Sequence, residues 1–128
     1  IVDFWSTGCI PCRKAFPELV KLHAELGDQV ACVSVSADYD GIPSKPVETY
    51  REQVLEFLSA QQATFDNVLC SVPAEDLFNQ LGFGSIPTVF VYDQQGRLSQ
   101  KFSEPVDDRE ITYADHIRPF VLSLLVSK

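Results

Sequence analysis

The chain has 128 residues, which is enough for one domain with a substantial core and too few for two. Its 45% hydrophobic and 22% charged residues exclude a disordered chain, and no apolar run reaches the roughly 20 residues of a membrane span. Eighteen acidic against ten basic residues leave a net charge of −8, which argues against a nucleic-acid or anionic-lipid partner.

Ile1 to Trp5 is apolar and β-prone, and reads as a central strand. A buried strand at the first residue is unusual, so residues upstream are expected in a longer parent chain. Ser6, Thr7 and Gly8 make a turn, and Pro11 suits the first turn of a helix. Phe16, Leu19, Leu22, His23 and Leu26 continue that helix to Gly27, with Pro17 expected to kink it. Val30–Ala37 reads as a strand buried on both faces. After a Gly/Pro/Ser loop from Asp38 to Lys45, Val47, Tyr50, Val54, Phe57 and Leu58 mark an amphipathic helix. Phe65–Cys70 suits another strand, and Glu75–Leu81 a short helix closed by Gly82. Thr88–Tyr92 is a strand, Asp93–Gly96 a turn, and Arg97–Phe102 its hairpin partner. Ser103–Glu110 is a polar loop, whose acids Asp107, Asp108 and Glu110 read as solvated. A terminal helix carries Ile117, Val121, Leu124 and Leu125, and Pro119 either starts or bends it. Helices between strands point to an α/β fold with an antiparallel edge pair near the end.

The chemistry lies in Cys9-Ile10-Pro11-Cys12, at the handover from strand to helix. A helix N-terminus carries unpaired N–H groups and partial positive charge, which favour a thiolate, the reactive form of cysteine. Thiols so placed have pKa values of roughly 3.5–7.5. Cys9 would be outermost and attack a partner's disulfide; Cys12, a turn further in, would resolve the mixed disulfide.

Val2-Asp3-Phe4-Trp5-Ser6-Thr7-Gly8-Cys9-Ile10-Pro11-Cys12 resembles the active-site segment of thioredoxins. The continuation Arg13-Lys14-Ala15-Phe16-Pro17 is most similar to the TlpA/ResA-like thiol–disulfide oxidoreductases. Gly84-Ser85-Ile86-Pro87-Thr88 resembles the family's cis-proline loop, and Asp93-Gln94-Gln95-Gly96 its hairpin turn. The resemblance implies a single thioredoxin-like domain over residues 1–128, a fragment of a longer chain. It implies a central mixed sheet flanked by helices, with Val47–Gln62 and the strand after it as the TlpA-like insertion. Asp3 would be the buried acid that moves a proton to or from Cys12, against the plainer reading of a strand-end Asp facing water. Pro87 would be cis. Ile86, Pro87 and Thr88 would receive the substrate chain, pairing through the Ile86 backbone. Trp5 would pack beside the site, or simply in the core. Gly8 stands where the family often has a second tryptophan, which removes an aromatic from the docking surface.

The enzyme implied exchanges disulfides with proteins carrying cysteine pairs through a redox-active Cys9–Cys12 disulfide, as a reductant and without a cofactor. An electron-donor protein, membrane-bound in such relatives, an extracytoplasmic setting and a monomeric state go with it. The competing reading is a redox-inactive thioredoxin-like binding domain of a larger protein. A peroxiredoxin-type peroxidase is weaker, because the close cysteine pair fits dithiol exchange. A metal site on Cys9 and Cys12 lacks further ligands nearby in sequence. Cys32 and Cys70 read as packing residues, with a Cys32–Cys70 disulfide as the alternative. His23 reads as structural, and His116 has no cysteine or acid arranged with it for a protease.

Overall fold

Alternation along a strand decides which side chains reach which layer. In β1 (Val2–Trp5), Asp3 and Trp5 share one face, and Val2 and Phe4 the other. The computed structural model describes residues 1–103 and 110–126, so Asp107 and Asp108 lie outside the described residues. β1 is the middle of one five-stranded sheet with β2 (Val33–Ser36), β3 (Asp66–Leu69), β4 (Thr88–Tyr92) and β5 (Leu98–Phe102). The order is β3-β2-β1-β4-β5. β2 and β3 run parallel to β1, β4 runs antiparallel to it, and β5 closes a hairpin with β4.

The Asp3–Trp5 face is covered by α1 (Ile10–Leu26), α2 (Arg51–Gln61) and α4 (Arg118–Val126). Phe16, Leu19, Leu22, Val54, Leu58 and Val121 join Trp5 in one core. The other face is covered by α3 (Ala74–Leu81), where Phe4, Leu77, Phe83 and Phe90 form a second, aromatic cluster. Pro17 lies inside α1. α3 ends at Gly82, whose φ of 75° is the left-handed conformation that a residue without a Cβ adopts most readily.

β2 is shorter than the apolar run Val30–Ala37. Its register matches Val2 with Val33 and Trp5 with Ser36, so the ladder ends where β1 ends. The buried face of β2 is also not apolar, since Ser34 and Ser36 are fully enclosed. Each serine has a partner that removes the cost of burial: Ser34 donates to Asn67 of β3, and Ser36 donates to Asp38 at 2.6 Å. The helix expected from Val47 opens as a 3-10 turn at Val47–Tyr50 before α2. The chain enters α4 through a wide π turn at Tyr113–Ile117, with the Thr112 hydroxyl accepting from the Asp115 N–H at 3.0 Å. Pro119 is the second residue of α4, which follows the π turn directly, so its missing N–H falls at the junction of the two helical forms. No helix among the described residues is long and apolar enough to cross a membrane.

Candidate active site

The turn Ser6–Gly8 delivers Cys9 to the N-cap of α1, where its sulfur accepts the Cys12 N–H at 3.3 Å. Cys9 and Cys12 form a disulfide with Cα atoms 5.2 Å apart. The two sulfurs are unequally placed: Cys9 is half-buried, whereas Cys12 is 2% exposed. Ile10 between them is 69% exposed, so an apolar side chain stands beside the outer sulfur. The Ile86–Pro87 bond is cis, and the Cys9 sulfur lies 3.8 Å from the Ile86 carbonyl oxygen. Ile86 and Pro87 are partly exposed.

Two residues expected beside the site or against the substrate chain are fully enclosed. Trp5 is 0% exposed, enclosed by Phe16 and Phe57 with ring centroids 5.0 and 4.9 Å away. It lies in the same core as Cys12, where packing beside the site and packing in the core are compatible readings of this indole. Thr88 is likewise 0% exposed, and its hydroxyl donates to the Ser85 carbonyl at 2.6 Å, tying the loop to β4.

Asp3 is 2% exposed, so a carboxylate facing water is excluded. Burial pushes its pKa up to about 7, against a smaller downward effect of a hydrogen bond donated by Tyr113. The Tyr113 phenol is itself pushed well above its ordinary value, first by burial and then by the Asp3 charge. Tyr113 also lines a cleft of about 260 Å³ with Pro11, Ala15, Ile86, Pro87 and Ile111. Tyr113 escapes a sequence reading, because 110 residues separate it from Asp3.

A second unanticipated group sits behind the active-site turn. Asp38 accepts the Thr7 N–H at 3.0 Å, the Thr7 hydroxyl, the Ser36 hydroxyl and the Gln53 amide at 2.9 Å. One carboxylate thus ties the turn before Cys9 to the end of β2 and to α2. The only advance signal was an Asp directly after an apolar strand, a common pattern.

Cys32 and Cys70 are free thiols. β2 and β3 are neighbours, but Cys32 joins the core under α1 while Cys70 packs against the cluster under α3, on opposite faces of the sheet. His23 packs edge-on against Phe65, with ring centroids 5.3 Å apart, and the ring nitrogen of His116 accepts the Thr112 N–H at 3.0 Å. Among the described residues, no three or more His, Cys, Asp or Glu side chains gather as a metal site would require.

The profile of a family described as thioredoxin-like matches residues 1–98. The chain is 27% identical to the thioredoxin-like protein YneN of Bacillus subtilis, a match over 75% of this chain and 51% of YneN. It is 25% identical to the thiol–disulfide oxidoreductase ResA of Geobacillus thermodenitrificans, over 92% of this chain and 62% of that protein. The chain therefore spans between about half and three-fifths of these curated relatives. A Chlorobium tepidum structure, proposed to be a thiol:disulfide interchange protein DsbE, superposes with a TM-score of 0.71 at 22% identity. That match covers 97% of this chain and 77% of the other, and it shows a shared fold.

Proposed function

Because the chain belongs to the thioredoxin-like family, we propose that it is a thiol–disulfide oxidoreductase working on protein cysteine pairs as a reductant. One observation carries this: a half-exposed sulfur at a helix N-cap, joined to an enclosed one and lying against the Ile86 carbonyl. In the reduced state the Cys9 thiolate attacks a substrate disulfide, forming a mixed disulfide and expelling one substrate thiolate. Cys12 then attacks the Cys9 sulfur, restores the Cys9–Cys12 disulfide and expels the second thiolate. The substrate is left with two thiols and the protein with one disulfide.

Each further role follows from position. Cys9 is the nucleophile because visitors can reach it, and Cys12 resolves because they cannot. The Cys12 proton passes to Asp3, which points from β1 into the core that contains Cys12. A carboxyl that titrates near neutrality suits that exchange. Ile86 and Pro87 receive the substrate backbone by strand-like pairing. The dithiol needs no cofactor, and a separate protein returns its electrons. An extracytoplasmic setting with a membrane-bound donor, and a monomeric state, complete the proposal by analogy with TlpA/ResA-like proteins.

Insulin reduction by dithiothreitol tests the reading. The wild-type chain accelerates precipitation of the insulin B chain, and Cys9→Ser does not. Equal behaviour of the two would leave a redox-silent docking domain as the better account.

A further inference from the structure

We propose that Tyr113 is a positioning residue for proton transfer: its phenol holds the Asp3 carboxylate in the core beneath the substrate cleft and favours its ionised form. The inference rests on the exchange reaction proposed above, and adds to it a residue from the far end of the chain. The geometry is direct. Tyr113 donates to Asp3 Oδ2, is itself 3% exposed, and lines the cleft beside Ile86 and Pro87. A substrate chain laid against those two residues therefore shares the cleft with Tyr113, whose phenol reaches Asp3 behind it.

The chemistry follows from which protonation state the bond prefers. A phenol O–H stabilises a carboxylate more than a carboxylic acid, so it keeps the acid ionised against the burial that drives it neutral. The phenol bonds Oδ2, and the carboxylate keeps further lone pairs that can take a proton. When Cys12 becomes a thiolate, its proton goes to Asp3, and the sulfur attacks Cys9 while the substrate thiolate departs. An Asp3 that is already protonated cannot accept it. Without the phenol, the acid would be protonated over more of the neutral range and resolution would slow.

The other groups around the pair are few. Cys32 faces it from the segment before β2, with its thiol pushed up first by burial and further by the Asp3 charge. The Ile1 amine acts on Cys32 in the opposite sense and donates to the Ala31 carbonyl at 2.8 Å. Cys12 belongs to the same core from α1, and Glu110 lines the cleft. Of these, Tyr113 is the described side chain hydrogen-bonded to the carboxylate.

Two measurements on Tyr113→Phe, which keeps the ring, test the idea. The first is the Asp3 carboxyl titration by carbon NMR in the oxidised protein. The expected result is a proton affinity about tenfold higher than wild type, the usual scale for losing one hydrogen bond to a charge. The second is reaction of the reduced protein with a chromogenic aromatic disulfide in a Cys70→Ser background, Cys32 being enclosed. The first chromophore released reports attack by Cys9 and the second reports resolution by Cys12. Tyr113→Phe should leave the first phase unchanged, move the rising pH limb of the second phase upward, and slow it several-fold near pH 7. In Asp3→Asn that limb disappears, and adding Tyr113→Phe has no further effect. An unmoved Asp3 titration overturns the proposal. So does equal slowing of both phases, or further slowing on the Asp3→Asn background. A wild-type chain with no second phase instead defeats the exchange reaction itself, while the NMR titration still decides whether Tyr113 governs Asp3.

Discussion

The difference between two sulfurs a helical turn apart is one of access, and in the proposed exchange access decides which one a partner keeps. Cys12→Ser leaves the half-buried Cys9 able to attack and nothing to release the product. This variant is therefore expected to accumulate covalent complexes with protein substrates, visible as reducible bands on a non-reducing gel. Cys9→Ser should accumulate none, because the remaining thiol is 2% exposed. The other two cysteines give a second expectation. The oxidised protein should show two titratable thiols in denaturant. In its native form one, Cys70, should react quickly and the buried Cys32 slowly. Burial raises the Cys32 thiol pKa, which lowers the fraction of reactive thiolate.

Among the elements, α2 does more than fill the insertion between β2 and β3. Its Phe57 packs on both Trp5 and Phe16, and Arg13 of α1 lies 5.7 Å above the same ring. Phe57→Ala should cost about 2–3 kcal/mol, below the range for a fully enclosed ring because Phe57 is half-buried. It should also admit water to the single tryptophan, and a red-shifted emission would report that opening. An unshifted spectrum would mean that the indole is shielded from elsewhere. Elements of this kind were legible in the residue order. The stripe Val54, Phe57, Leu58 announces the buried side of α2, Gly82 the end of α3, and Thr88–Tyr92 a strand. The pair Cys9–Cys12 was equally plain, because its spacing and its helix start lie within one short segment. The links between segments were not. Asp38 holds Thr7 across 31 residues, and Tyr113 holds Asp3 across 110, each through a polar contact with no periodic signature. The core reading of Trp5 was available from the residues, whereas the enclosure of Thr88 was not. Trp5 is enclosed by rings from α1 and α2, and the Thr88 hydroxyl donates to the Ser85 carbonyl three residues back.

For the molecule as a whole, the buried acid makes stability depend on pH. The folded pKa of Asp3 is about 7, above the ordinary 3.8 expected when the chain unfolds, so the folded state binds this proton more tightly. The resulting stabilisation is complete below about pH 4, declines as pH rises, and is gone above about pH 7. Asp3→Asn removes the cost of the buried charge, so it should be the more stable protein at pH 8, by roughly 2–4 kcal/mol. The gap should narrow steadily toward pH 4; chemical denaturation at several pH values measures it. A constant gap would assign the change to packing instead of charge. The topology also explains why the site assembles where it does. β1 has a parallel neighbour on one side and an antiparallel one on the other, so its outgoing end meets the end of β2 and the beginning of β4. Asp38 and Pro87 thereby reach the cysteine turn from opposite flanks. What joins those two flanks (α2, β3 and α3) is itself part of the support, since α2 brings Phe57 to Trp5 and Gln53 to Asp38. The exposed turn at Gln94–Gln95 lies at the end of β4 away from Pro87, so a foreign peptide spliced there would leave the sulfur chemistry at its original address.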